Sequence, residues 1–377
     1  MFKHFNKYTL VLLFTLPLQA FMDYPYGVNF QIIRTPLMPL DDSNPGKSNF
    51  AVRTSLRWIN VWSFQTNRFM IDGEEAQLDT SFRYAINARL QAGISVPVLS
   101  RGGGFMDQYV EKFHQVTGVG NANRDNYPRN RLNVSYEPLG PYYYILDNDP
   151  LTTYLRRYDN RMYPRSPNSP PIDISGLKSK FTELYLSNYF PYINDKRTED
   201  IPIAGYDTTA VSNPRIFWQY TLWRGKSRFV DQISMGTQHK VPAKSMNLVA
   251  TPGWDSSLFF VFQKCFLQKK VNLRFGISYT KFQITQYRIL ELRGHVWTFR
   301  PSVDVLLGKW IFTTEYVYYN SPVVHFGKLS SPTHQVGFSF QRNIKGHKVT
   351  LAAIENIITY STTPDIGYLF SVEKIFQ

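Results

Sequence analysis

Alternation of apolar and polar residues is the dominant pattern along this chain. From Val271 the odd positions carry Val271, Leu273, Phe275, Ile277 and Tyr279. The even positions carry Asn272, Arg274, Gly276, Ser278 and Thr280. Successive residues of a β-strand point to opposite faces, so one face here suits lipid and the other a wet interior. The same dyad runs through Leu258, Phe260, Phe262 and Phe266, with Lys264 interrupting at the rim. It recurs in Ile216, Trp218, Tyr220 and Leu222, in Trp297, Phe299, Val303, Val305 and Leu307, in Trp310, Phe312, Tyr316 and Tyr318, and in Val336, Phe338 and Phe340. Short polar turns join these runs in pairs: Arg224 to Ser227, Gln268 to Lys270, Gly308-Lys309 and Asn343 to His347. Longer connections separate one pair from the next. Tight turns at one rim and long loops at the other are the signature of a transmembrane β-barrel.

The N-terminal half repeats the pattern less tidily. Val52, Leu56, Trp58, Trp62 and Phe64 share a face opposite Arg53, Ser55, Arg57 and Ser63. Ala76, Leu78, Phe82 and Tyr84 lie opposite Glu75, Gln77, Asp79, Ser81 and Arg83. A turn near Ile86-Asn87 leads into Ala88 to Val98, with Arg89 on the polar face. Charge is costly against lipid and cheap against water, so these polar faces mark the lumen. Arg53, Arg57, Arg83, Arg89 and Arg274 are the candidate lumen arginines, and a wall of arginine would favour anions. The pattern predicts an all-β fold, an antiparallel transmembrane β-barrel of about 12–14 strands. Between Tyr142 and Arg215 the rhythm fails, with one strand expected near Phe181 to Tyr189.

The first residues place the barrel. Lys3 and Lys7 precede the apolar run Tyr8 to Leu18, and Ala20 offers a small residue at a cleavage point. This predicts a secretory signal peptide over 1–20, cleaved after Ala20, and a single barrel domain over 21–377. The last run, Tyr368, Phe370, Val372 and Phe376, is a closing strand of the kind that barrel-assembly machinery reads, though Gln377 follows the final aromatic. The expected location is the bacterial outer membrane, with outer-membrane lipids and the assembly machinery as partners.

Composition agrees. The 25 Tyr, 28 Phe and 7 Trp supply the interfacial girdles a barrel needs. Cys265 is the sole cysteine, which excludes an internal disulfide. The net charge of +14 is scattered rather than clustered and accompanies no nucleic-acid motif, so no nucleic-acid partner is expected.

One connection stands out. Arg101-Gly102-Gly103-Gly104 opens it, and Phe105, Met106, Tyr109, Val110, Phe113 and Val116 then recur at helical spacing. Asp107, Glu111 and His114 lie on the opposite face of this helix, near residues 105–117. Asn123, Arg124, Asp125 and Arg129 follow. The glycines lack the lysine of a phosphate-binding loop. The acids and the histidine are residue types that bind divalent ions or act as acid and base, but are more often solvated. The favoured expectation is a helix folded into or over the barrel as a constriction, its apolar face docked on the wall. No metal and no cofactor are expected.

The span Phe69 to Glu74, with Asp72, Gly73 and Glu74, resembles an uncharacterised proteobacterial family known as domain of unknown function 3187. So do Gly102, Gly103, Gly104, Phe105 and Asp107, then His114 and Arg124, and the ending Glu355-Asn356 followed by Pro364-Asp365-Ile366-Gly367. The resemblance implies an outer-membrane protein and supplies neither activity nor substrate. The residues themselves favour a barrel that admits a small solute of unknown identity or serves envelope integrity. A lipid-modifying enzyme and a purely structural or adhesive barrel are the alternatives. Of the seven histidines, none stands in a Gly-x-Ser-x-Gly setting. His325 and His334 flank a Ser330-Ser331 loop, and a non-enzyme is expected.

Overall fold

The computed structural model describes residues 37, 49–65, 69–118, 124, 129–130, 133–135, 208–225, 227–243, 250, 253–287, 290–324, 327–356 and 365–376. The signal-peptide segment, the strand expected near Phe181 to Tyr189, and Pro364 lie outside these. The chain opens with β1 (Phe50–Gln65), β2 (Phe69–Ala85) and β3 (Leu90–Gly102), then α1 (Asp107–Thr117) and the short β4 (Asn133–Ser135) and β5 (Thr208–Val211). β6 (Arg215–Arg224), β7 (Gln232–Lys240), β8 (Asp255–Phe266) and β9 (Val271–Phe282) follow. A small hairpin, β10 (Gln286–Tyr287) and β11 (Leu290–Glu291), precedes β12 (His295–Leu307), β13 (Trp310–Tyr319), β14 (Thr333–Ile344), β15 (His347–Asn356) and β16 (Ile366–Phe376).

All wall pairings are antiparallel between sequential wall strands, and the wall closes because β1 pairs with both β2 and β16. Twelve strands form the closed barrel. β4 extends the wall beside β2, and β5 extends it beside β3. Closure leaves no long free edge, which is what allows a sheet to stand in lipid.

Short turns gather at the rim that also carries the two ends of the wall, where the rings of Phe50 and Phe376 stack at 4.5 Å. Gly308 and Gly346 take positive φ there (65° and 78°), the left-handed geometry that tight turns require. The other rim carries the long connections.

Burial separates the two faces. Leu56, Phe82, Leu273, Phe275, Phe338, Leu351 and Phe370 are exposed on the outer face, while Arg53, Arg83, Arg274, Arg300 and Glu315 are buried on the inner one. Such an apolar exterior over a polar interior inverts a soluble fold and matches a barrel in hydrocarbon. A cluster of aromatics lies on the outer face of β9, β12 and β13 toward the long-loop rim: Tyr279 against Trp297 at 4.9 Å, and Phe299 against Tyr318 at 6.0 Å.

Candidate functional site

The lumen wall is built from cross-strand ion pairs. Arg274 on β9 grips Asp304 on β12 with both guanidinium nitrogens, and both side chains are fully buried. Asp304 also accepts from Asn272 Nδ2 at 3.0 Å and from Thr313 Oγ1 at 2.9 Å. Arg300 pairs with Glu315 at 2.8 Å. Arg83 pairs with Glu373, and Arg53 lies 3.9 Å from the same carboxylate. Arg57 lies 3.7 Å from Glu75 and donates to Gln77, and Arg101 pairs with Glu75 at 3.2 Å. Arg215 pairs with Asp79, and Lys240 with Asp255.

Of the five candidate arginines, Arg53, Arg57, Arg83 and Arg274 are buried on the inner face, each beside an acid. Arg89 is not. It sits in the exposed turn after β2, where Asn87 Oδ1 accepts from its main-chain nitrogen at 2.8 Å. The turn extends over Arg89 and β3 begins only at Leu90, so the inward parity that Arg89 shares with the buried Gln91 does not bring it inside. Glu75 and Asp79 stand on the polar face read from the sequence, while Asp304, Glu315 and Glu373 were not among the candidates. Their signal was present, since they occupy the same parity as the arginines. They offset the positive field that arginine alone would set up.

Leu37 lies inside this wall. Its main-chain nitrogen donates to Thr280 Oγ1 at 3.1 Å, and its carbonyl accepts from Ser257 and Ser278 at 3.1 and 3.2 Å.

A second polar assembly forms around α1, and its location departs from expectation. Trp58, Asn60 and Trp62 on β1, and Asp72 and Glu74 on β2, have the parity of the outward residues Leu56 and Leu78, and the β1–β2 register runs without a break. They are the residues that α1 and the segment after it contact. Glu74 accepts from the main-chain nitrogens of Phe105 (2.6 Å) and Met106 and from Trp58 Nε1 (2.7 Å). A Cβ on Gly104, whose φ is 66°, would fall 1.8 Å from the Glu74 carboxyl carbon. Only glycine permits both the left-handed backbone and that approach.

Asp107 accepts from Asn60 Nδ2 at 2.8 Å and from the main chain of Asn130 at 2.6 Å. Arg124 bridges Asp72, at 2.8 Å, and Asp107, and its guanidinium lies 5.0 Å from the centre of the Trp62 ring. Burial works against the Arg124 charge, yet the hydrogen bond it donates to Asp107 and the nearby carboxylates hold it above its ordinary range. Glu111 pairs with Arg129. Met106 and Val110 pack with Ile366 against Trp58.

The helix thus lies on the outer wall, where the β1–β16 ladder ends at Asn60 and Ile366. It does not constrict the lumen. Its docked face is the one bearing Asp107, Val110, Glu111 and His114, all buried, while Phe105, Tyr109, Phe113 and Val116 are exposed. The expected docking of the apolar face is met only by Met106 and Val110; the charged side docks with them, because polar groups beneath the helix satisfy it, and the rest of the apolar face turns away.

The family-motif residues Asp72, Glu74, Gly104, Phe105, Asp107, His114, Arg124 and Asp365 converge on this assembly. Gly73 takes a φ of 148° between the two strand acids. Gly102 ends β3, paired with Glu74, and Gly103 leads to Gly104. His114, Glu355 and Asp365 bring ligand-type atoms within 4.8 Å of one another, a donor set of the kind that divalent cations use. Burial raises the Asp365 carboxyl above its ordinary range, against the opposing pull of His114 and Arg124. Glu355, part of the closing motif that carries the resemblance but not among the candidate site residues, reaches this cluster from the end of β15.

These features define a closed β-barrel with a polar, ion-paired lumen and a helix docked outside it. The chain belongs to the family described as protein of unknown function DUF3187, whose model matches residues 30–141 and 193–376. No curated protein matches it. Among solved structures, the COG4313 outer membrane channel from Pseudomonas putida F1 is similar at 7% identity and a TM-score of 0.48, over 90% of this chain and 97% of that one. The P. putida toluene transporter TodX is similar at 9% identity and a TM-score of 0.38, over 89% and 91%. The translocator domain of autotransporter NalP from Neisseria meningitidis is similar at 5% identity and 0.37, over 89% and 90%.

Proposed function

We propose that this chain is a bacterial outer-membrane barrel that passes a small solute through its polar lumen. The observation that carries the reading is the inner face itself. Hydrophilic side chains line it on successive strands, held in place by cross-strand pairs, while the outer face is apolar. Short turns at the rim with the wall's ends would face the periplasm and the long connections would face outward, the usual arrangement of such barrels. Because each lumen arginine described above lies beside an acid, the reading predicts weak charge selectivity in place of the strong anion preference that arginine alone suggests.

Planar-bilayer recording tests this. The purified barrel is expected to conduct, with a reversal potential near zero in a salt gradient. The triple variant Ser257→Ala, Ser278→Ala, Thr280→Val removes the groups that hold Leu37 and is expected to conduct more. A barrel that stays silent in both forms would favour the structural reading. The enzyme alternative gains no support from His334, whose Nδ1 is hydrogen-bonded to the Tyr316 hydroxyl at 2.6 Å and whose ring lies against Tyr318.

A further inference from the structure

A docked helix usually turns its apolar face to the protein and its charged face to solvent. Here only Met106 and Val110 of the apolar residues dock, the charged face docks with them, and the other apolar residues point away. Asp107, Glu111 and His114 are buried under α1, while Tyr109 is 68% and Val116 78% exposed. With Phe105 and Phe113 they form one stripe at four- and three-residue spacing, which water would penalise. The stripe is not isolated. Phe105 lies edge-on to Trp58 at 5.0 Å and to Tyr109 at 6.4 Å. Trp58 in turn pairs across the ladder with Tyr368, which has the outward parity of Phe370. The exposed face of α1 is therefore continuous with the lipid-facing surface of the barrel, at the strand level of Trp58 and Tyr368. Lys112 is exposed alongside, and the Arg129 side chain is 54% exposed, a pattern suited to anionic headgroups above an apolar face.

We propose that α1 is an interfacial membrane helix, clipped to the outside of the barrel by its charged face and immersed by its apolar stripe among the acyl chains of the outer leaflet. The network of Arg124, Asp72, Asp107 and Glu74 serves as the clip, and the stripe widens the lipid-contacting perimeter where β1 outruns its partner β16. This rests on the outer-membrane reading of the barrel, so the test must separate the two.

Nitroxide labels are placed one at a time at Val116→Cys, Phe113→Cys and, as a belt reference, Phe370→Cys, in a Cys265→Ser background that leaves no other thiol. The folded protein is reconstituted in phospholipid vesicles. Collision with oxygen is compared with collision with a water-soluble nickel chelate. At Val116 and Phe113 oxygen is expected to exceed the chelate by several-fold, as at Phe370. Chelate-dominated collision at both helix sites, with Phe370 still in lipid, overturns the proposal alone. Shielding of both helix sites from both reagents, as under a protein partner, overturns it too. Chelate access at Phe370 as well would overturn the membrane reading beneath it. Val116 is so exposed that its replacement leaves the docked face intact, and Phe113 gives an independent position.

Discussion

Replacing Arg124 with alanine is expected to release α1 from the wall. The guanidinium is buried between Asp72 and Asp107 and lies over Trp62, so its loss strands two carboxylates away from water. Removing one partner of a buried pair costs about 3–5 kcal/mol. The cost falls mainly on the helix, because Arg124 and Asp107 lie off the wall strands while Asp72 stays held by the β1–β2 ladder. Limited proteolysis of the detergent-folded protein should therefore cut within residues 103–130 far faster in Arg124→Ala, while the wall strands stay protected. Arg124→Lys should rescue only part, since a single ammonium lacks the planar fork that engages two carboxylates. Arg129→Ala is the contrasting case. Its side chain is half exposed, and its pair with Glu111 is worth less than about 1 kcal/mol.

The second large effect is in the lumen. Asp304→Ala removes the acceptor of Arg274, Asn272 and Thr313 at once and takes its bidentate carboxylate from a fully buried guanidinium. A loss of about 3–5 kcal/mol is expected, read as a lower urea midpoint for unfolding in detergent. The double variant Asp304→Leu, Arg274→Met should recover most of it, since a buried pair exchanged for apolar side chains of similar size is often neutral. Recovery would show that the pair organises the lumen without adding much net stability.

The barrel was legible in the sequence because the dyad is a local property. A strand such as Val271 to Phe282 declares both its faces within a dozen residues, and Gly308-Lys309 declares its turn. The count of twelve also lay within reach, and the short β4 and β5 only extend it. What escaped was non-local. Arg53 and Arg83 are separated by most of the chain from Glu373, which joins them only when β16 closes on β1. Reading the arginines alone thus overstated the positive field. The helix was found by its period, but its orientation was not. Periodicity says that two faces differ and leaves open which one meets protein. That depends on Asp72 and Glu74 pointing outward and on the surrounding solvent being hydrocarbon. Arg89 failed for a simpler reason, since it stands in the turn and β3 begins only at Leu90.

The central claim is that alternate residues of a closed wall face lipid. A nitroxide scan along Val271 to Phe282, in the Cys265→Ser protein in vesicles, tests it most directly. The account predicts high oxygen accessibility at Val271, Leu273, Phe275, Ile277 and Tyr279 and low values at the residues between, a strict period of two. A flat profile, or access of the aqueous reagent to the odd positions, would contradict it.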